Sequence, residues 1–413
     1  MVCIVLDQKD SIELSSSDRL KNTFITGLPG NGITYYFSNL ILQDVSSNQP
    51  SIVIDPYGDL SNRIIKNTPE KKLGNIAYID IWHEQLPVGL NIFQARNEFD
   101  KKEIGNIVLK LMYDLYDPQR TGVIGPRFDH AVRNAITTIF YDENPSFLEL
   151  LKCLTDSSYV NKLVGKITDP IVKNYWTKQI AQTSDFHKSE ILDYIVSKFS
   201  RFVSDTRLRK IVCQPQDTID FQKLLQEKKT ILLDFSEYYY DREANTIISS
   251  LLFSKLSTLF RKIHKTPKEQ ISLYIDEVSL WNPQVIADLM QYSGLYNLAI
   301  TTLSSRPKQI DPSLKYEILR SGTIVAFRSV KGDIEDVVHV IDTDIKTISE
   351  LKKFHMVLRT LENGTITKVK KINTTQKENR NNNVILEKFK DDSQIKYGKP
   401  VTLIEADIAK KMR

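Results

Sequence analysis

"TFITGLPGNGITYYF", residues 23–37, reads as a short strand, a glycine-rich turn and the start of a helix. A phosphate-binding loop follows the pattern G-x-x-x-x-G-K-[ST] in this strand-to-helix context. Gly27, Gly32 and Thr34 satisfy the pattern, and Ile33 stands where its lysine belongs. Glycines suit such a loop because a Cβ blocks the approach of backbone N–H groups to phosphate oxygens, and the following helix N-terminus favours an anion. A tight turn with two glycines would look the same over eight residues, so the rest of the chain has to decide.

The rest begins with bounds. A chain of 413 residues can bury a full core and divide into two or three units. Apolar residues make up 41% and charged residues 26%, as in a globular protein, and the net charge of +5 permits a nucleic-acid partner without requiring one. Cys3, Cys153 and Cys213 lie far apart with no C-x-x-C pair, so neither a disulfide framework nor a zinc knuckle is indicated. The six histidines show no metal-ligand spacing. No apolar run approaches the roughly 18 residues of a membrane span, and the first ten residues lack a signal-peptide pattern. The expectation is a cytoplasmic chain without direct membrane insertion.

Strand and helix alternate on both sides of a purely helical stretch. "PSIVIDPYGDL" and "LGNIAYIDIW" follow the opening strand, and "KKTILLDFS" (228–236), "ISLYIDEVS" (271–279), "LAITTLS" (298–304) and "SGTIVAFRS" (321–329) resume the pattern. Runs rich in β-branched residues separated by helices predict a parallel α/β sheet. The expected organisation is a first core part over 1–95, an inserted all-α domain over 96–226 and a second core part over 227–345. A β-hairpin extension over 346–373, turning at Asn363-Gly364, and a polar linker with an amphipathic tail over 374–413 complete it.

"ISLYIDEVS" supplies the loop's chemical counterpart. Asp276 and Glu277 leave a buried strand side by side, a poor choice for core packing. In phosphate-loop enzymes an aspartate there holds magnesium together with the loop Ser/Thr, and a neighbouring glutamate activates water. A strand simply ending in solvent is the plainer alternative.

Taken in order, these segments resemble the ATPase part of type IV secretion (conjugative) coupling proteins, in the HerA–FtsK superfamily of DNA-pumping motors. "SSSDRLKNTFITGLPGNGIT" resembles the approach to that family's Walker A loop, and "IVIDPYGDL" its D-P-x-G-D-L segment. "GPRFDHAVRNAITTIF" and "ILDYIVSKFSRFVSDTRLRKIV" resemble helices of its inserted domain. "LYIDEVS" resembles Walker B, "GTIVAFR" a late strand ending in arginine, and "YGKPVTLIEADIAKKM" the C-terminal element of soluble members. The resemblance implies a RecA-like P-loop NTPase core with an inserted all-α domain. It further implies ATP and Mg as cofactors, DNA as partner, a homo- or hetero-oligomeric ring (a hexamer in the family) and recruitment by a membrane-bound partner. Residue by residue, it places Gly27, Gly30, Asn31, Gly32, Ile33 and Thr34 in the nucleotide loop, and Thr34 with Asp276 at the metal. Glu277 becomes the catalytic base and Arg328 an arginine finger or sensor.

Two positions depart from the family pattern. Ile33 removes the charge-assisted contact to the β- and γ-phosphates, and Leu303 lies near the place of a polar sensor. Lys21 or Arg306 reaching into the site would compensate. The reading is therefore a DNA translocase-like motor subunit with weak hydrolysis, or a non-hydrolysing pseudo-ATPase acting as an adaptor. Lys198, Arg201, Arg207, Arg209 and Lys210 form a candidate nucleic-acid contact, with a solvated helix face as the alternative. Tyr238 to Tyr240 offer either a base-stacking platform or an aromatic cap.

Overall fold

The computed structural model describes residues 2–5, 11–181, 185–236, 241–263, 269–362, 364–366, 370–373 and 383–412. Tyr238 to Tyr240, the turn residue Asn363 and most of the expected polar linker lie outside the described residues. The chain forms two compact units, one of residues 1–81 with 220–396 and one of residues 82–219 with 397–413.

The first unit opens with an antiparallel pair, β1 (Val2–Val5) and β2 (Ser11–Leu14). The strands β3 (Thr23–Thr26), β4 (Ser51–Asp55), β5 (Ile76–Asp80), β6 (Thr230–Asp234), β7 (Ile271–Ile275), β8 (Leu298–Ser304) and β9 (Thr323–Phe327) follow, all parallel. Next come β10 (His355–Arg359), a two-stranded ribbon of β11 (Leu361–Glu362) and β12 (Thr365–Ile366), and β13 (Lys370–Asn373). Among the described residues the main sheet has nine strands in the order β13-β10-β9-β3-β8-β7-β4-β6-β5, with β10 antiparallel to both of its neighbours. Parallel strands are covered on both faces, so they read as unbroken apolar runs rather than alternating ones. Ile52 to Ile54 and Ile231 to Leu233 are accordingly fully buried.

This order sets the distances that matter. β3 and β7 are in one sheet with β8 alone between them, so the two segments singled out in the sequence leave the same carboxyl edge about 10 Å apart at the usual strand spacing. The helix Ile33–Ser47 follows β3. Its residues Ile33, Phe37, Leu40, Ile41 and Val45 repeat at helical spacing and are all buried in the core cluster.

A buried network fastens that helix to β7. The Arg19 guanidinium donates to both carboxylate oxygens of Asp44, at 3.1 and 2.9 Å, and also to Ser272 Oγ and Tyr274 Oη, at 3.0 and 3.1 Å. Tyr274 in turn donates to Asp44 at 2.7 Å. A bidentate pair whose remaining lone pairs are also satisfied is the arrangement that makes a buried charge tolerable.

The second unit is helical among its described residues. The aromatic rings of Phe147 and Phe202 stack with centroids 4.4 Å apart, and Trp176 Nε1 donates to Thr138 Oγ1 at 2.7 Å. The C-terminal helix Val401–Met412 belongs to this unit, where Lys411 pairs with the buried Glu149 at 3.0 Å.

Candidate nucleotide site

The loop leaving β3 is built on backbone that only glycine takes readily. Gly30 and Gly32 have φ of +81° and +102°. A Cβ on Gly32 would lie 2.5 Å from the Phe354 ring, and one on Gly27 would lie 2.5 Å from Phe327 Cβ. Three backbone bonds hold the loop: Leu28 N–H to Arg328 O at 2.8 Å, Asn31 N–H to Leu28 O at 3.3 Å, and Phe354 N–H to Asn31 O at 2.9 Å. The Asn31 side-chain amide donates to Leu28 O as well. Pro29 and Gly30 are exposed at the tip, and around Gly30 there is open space.

Helix Ile33–Ser47 starts without an acidic residue in its first turn and without a side-chain cap. The first N–H groups of a helix have no intrahelical acceptor. Those of Ile33 and Thr34 therefore remain for an external anion, aided by the helix dipole. Thr34 is half-buried at this end. Ile33 behaves differently: its side chain is 3% exposed and belongs to the core cluster with Ile25, Phe37 and Phe327. What Ile33 leaves to the loop is its backbone N–H.

Asp276 is buried, accepts Glu277 N–H at 2.9 Å, and has its own N–H on Ile54 O at 3.1 Å. Burial first, then Asp55 and Glu277, push its carboxyl well above the usual carboxylate range. Glu277 has φ +44°, an uncommon conformation for a residue with a Cβ. Both of its carboxylate oxygens accept Ser305 N–H, at 3.2 and 3.1 Å. Ser305 follows β8, the strand lying between β7 and β3, so Glu277 leans across the sheet edge toward the loop.

The other expected residues are distributed as follows. Arg328 is exposed just after β9, and its carbonyl is the acceptor for Leu28. Arg306 is exposed beyond β8, and Leu303 is buried in the core. Lys21 precedes β3 at the opposite end of the sheet, with its carbonyl on Gly322 N–H, and does not reach the loop. In the helical unit Arg207 donates to Trp82 O, Arg209 to Val203 O, and Lys210 faces Glu405 at 3.4 Å. Lys198 lies over the rings of Tyr116 and Tyr194, and Arg201 follows three residues along the same helix.

Sequence reasoning missed a row of acids. Asp80 pairs with Asp234 and Asp234 with Asp55 across β5, β6 and β4, and Asp276 comes next to them at the end of β7. Asp55 is fully buried and accepts N–H groups of Tyr57, Gly58 and Ser61. Burial, and then the Asp234 charge, push it up to about 6. The signal was present in "SIVID", "IAYID", "TILLD" and "ISLYID", four apolar runs that each close on aspartate.

Fold and loop together define a RecA-like P-loop NTPase fold. No family model matches the chain, and no curated protein matches it in sequence. Among solved structures it is similar to VirB4 of Thermoanaerobacter pseudethanolicus, at 14% identity and a TM-score of 0.64, over 91% of this chain and 96% of that one. It is also similar to the plasmid coupling protein TrwB in complex with the GTP analogue GDPNP, at 14% identity and 0.64, over 88% of each chain. TrwB in complex with ADP and Mg2+ gives 13% and 0.63 over 88% of each. At these identities the likeness establishes the fold. Among the described residues no helix is long and apolar enough to cross a membrane.

Proposed function

We propose that the chain is a motor-type NTPase subunit that binds a magnesium nucleotide at residues 27–34 and acts on DNA, with hydrolysis slowed by Ile33. The observation that carries this reading is Glu277, held by Ser305 N–H at the sheet edge between the loop and Asp276. A side chain kept in an uncommon backbone conformation and held at the end of the neighbouring strand supports a positioned carboxylate over a strand that merely ends in solvent.

The residues fit the nucleotide. The N–H groups of Gly30, Gly32, Ile33 and Thr34 would bind the phosphates. The Thr34 hydroxyl and the Asp276 carboxylate are oxygen donors of the kind magnesium takes. A carboxyl that burial pushes toward its protonated form is one that a nearby cation would return to the anion. Magnesium, when bound, neutralises charge developing on the phosphates. Glu277 would orient water and take its proton, and Ser305 N–H would keep that carboxylate in place. Arg328, exposed beyond β9, is free to serve a neighbouring subunit of a ring, a hexamer on the family pattern. DNA as substrate and a membrane-bound partner are carried over from the family that the sequence motifs resemble, and the fold shared with a conjugative coupling protein supports that reading.

The adaptor reading has one observation in its favour. Ile33 is integrated into the core, so the lysine position has become a packing position. Isothermal titration with Mg-ATP, together with phosphate release on wild type, Ile33→Lys and Glu277→Gln, tests both readings. Loss of the lysine contact should weaken binding about ten- to a hundredfold relative to Ile33→Lys. Slow turnover that depends on Glu277 supports the motor. Binding without any turnover establishes the adaptor, and no binding by any variant overturns the nucleotide site.

A further inference from the structure

We propose that Phe354, with Lys353 beside it, is the platform for the nucleobase of the bound nucleotide. This deepens the reading above and rests on it. Asp276 and Glu277 act on the terminal phosphate only if that end faces β8 and β7. The sugar and base must then leave the loop on its other side, toward β9 and β10. Met356 on β10 pairs with Phe327 on β9, and β10 runs antiparallel. The residues just before β10, Lys353 and Phe354, are thereby carried past the same carboxyl edge that bears the loop.

Four observations single out Phe354. Its N–H is bonded to Asn31 O, so its position is tied to the loop itself. Its φ is +63°, a conformation that an aromatic residue rarely adopts and that tertiary contacts must hold. Its ring lies against Gly32, and the Tyr35 ring meets it edge-on at 6.1 Å. The Lys353 ammonium lies 5.2 Å from its ring centroid, and Lys353 is exposed while Phe354 is half-buried. The ring is thus supported by the loop and reached by a group that solvent can take away. A base stacking on Phe354 would displace Lys353 from the ring.

The test separates base from phosphates. Binding of Mg-ATP, Mg-GTP and Mg-tripolyphosphate is measured by titration on wild type, Phe354→Ala and Phe354→Trp, with thermal melts as a check on folding. Wild type should bind the nucleotides more tightly than tripolyphosphate. Phe354→Ala should weaken both nucleotides about tenfold and leave tripolyphosphate within about twofold, while Phe354→Trp should restore the nucleotides. Equal weakening of all three ligands would mean that the ring only props Gly32, and the proposal would fall. It would fall too if wild type bound tripolyphosphate as tightly as ATP, although the phosphate loop would stand. Failure of wild type to bind any of the three would overturn the nucleotide reading and this proposal together.

Discussion

Glu277 and Ser305 are 28 residues apart in sequence and joined across a sheet edge, the carboxylate accepting one N–H with both oxygens. Glu277→Gln keeps the size and one acceptor but cannot take a proton from water. Phosphate release should drop by a hundredfold or more on the usual scale for a general base, while Mg-ATP affinity in titration stays within a few-fold. Loss of binding to the same extent as turnover would show that Glu277 only shapes the loop.

Removal of one member of the Arg19–Asp44–Tyr274 network leaves an uncompensated buried charge. Asp44→Ala should cost roughly 3–5 kcal/mol in urea unfolding, whereas Tyr274→Phe should cost about 1–2 kcal/mol because the Arg19 pair survives. Equal losses in the two variants would show that the hydroxyl, not the ion pair, holds the helix to β7.

Ile33 is a core residue in this fold, so Ile33→Ala should lower unfolding free energy by about 2–4 kcal/mol. Ile33→Met should cost less than about 1.5 kcal/mol, since it keeps the volume. If Ile33→Ala proved neutral in denaturant melts, the position would be open to solvent and not part of the core.

The acid row makes stability depend on pH with a definite sign. Asp55 sits at about 6 folded against 3.8 as its reference value, so between those values the folded state holds the extra proton. Its stabilising contribution is complete below about pH 4 and is lost as pH rises through 6. Asp276 is raised as well and acts in the same direction. Urea midpoints should therefore fall from pH 4.5 to 7, and fall less steeply in Asp276→Asn, which removes one titrating group and relieves the charge facing Asp55. A rising or unchanged wild-type to variant difference across that range would contradict the assignment.

The strands were legible because a parallel sheet writes them as apolar runs, and "TILLD" or "LAITTLS" admits little else. The loop and the Asp276-Glu277 pair were legible as a pattern, residue types at fixed places along one chain, and the sheet order brings the two segments to one edge. Ile33 was legible as a missing lysine but not as a core residue, since burial depends on neighbours such as Phe327 that lie some 300 positions away. Asp44 lies in "NLILQDV", where nothing local distinguishes a solvated acid from one clasped by Arg19. Phe354 is hidden for the same reason. Its partner Asn31 is more than 300 residues distant, and only the antiparallel turn back into β10 brings the two together.

The bond from Leu28 N–H to Arg328 O, 2.8 Å long, ties the glycine-rich loop directly to the end of β9. On the proposed reading, a loop that tightened on an anion would pull on the residue whose guanidinium stands in solvent. Movement at one would then be passed to the other through that one hydrogen bond, a coupling between binding and the exposed face.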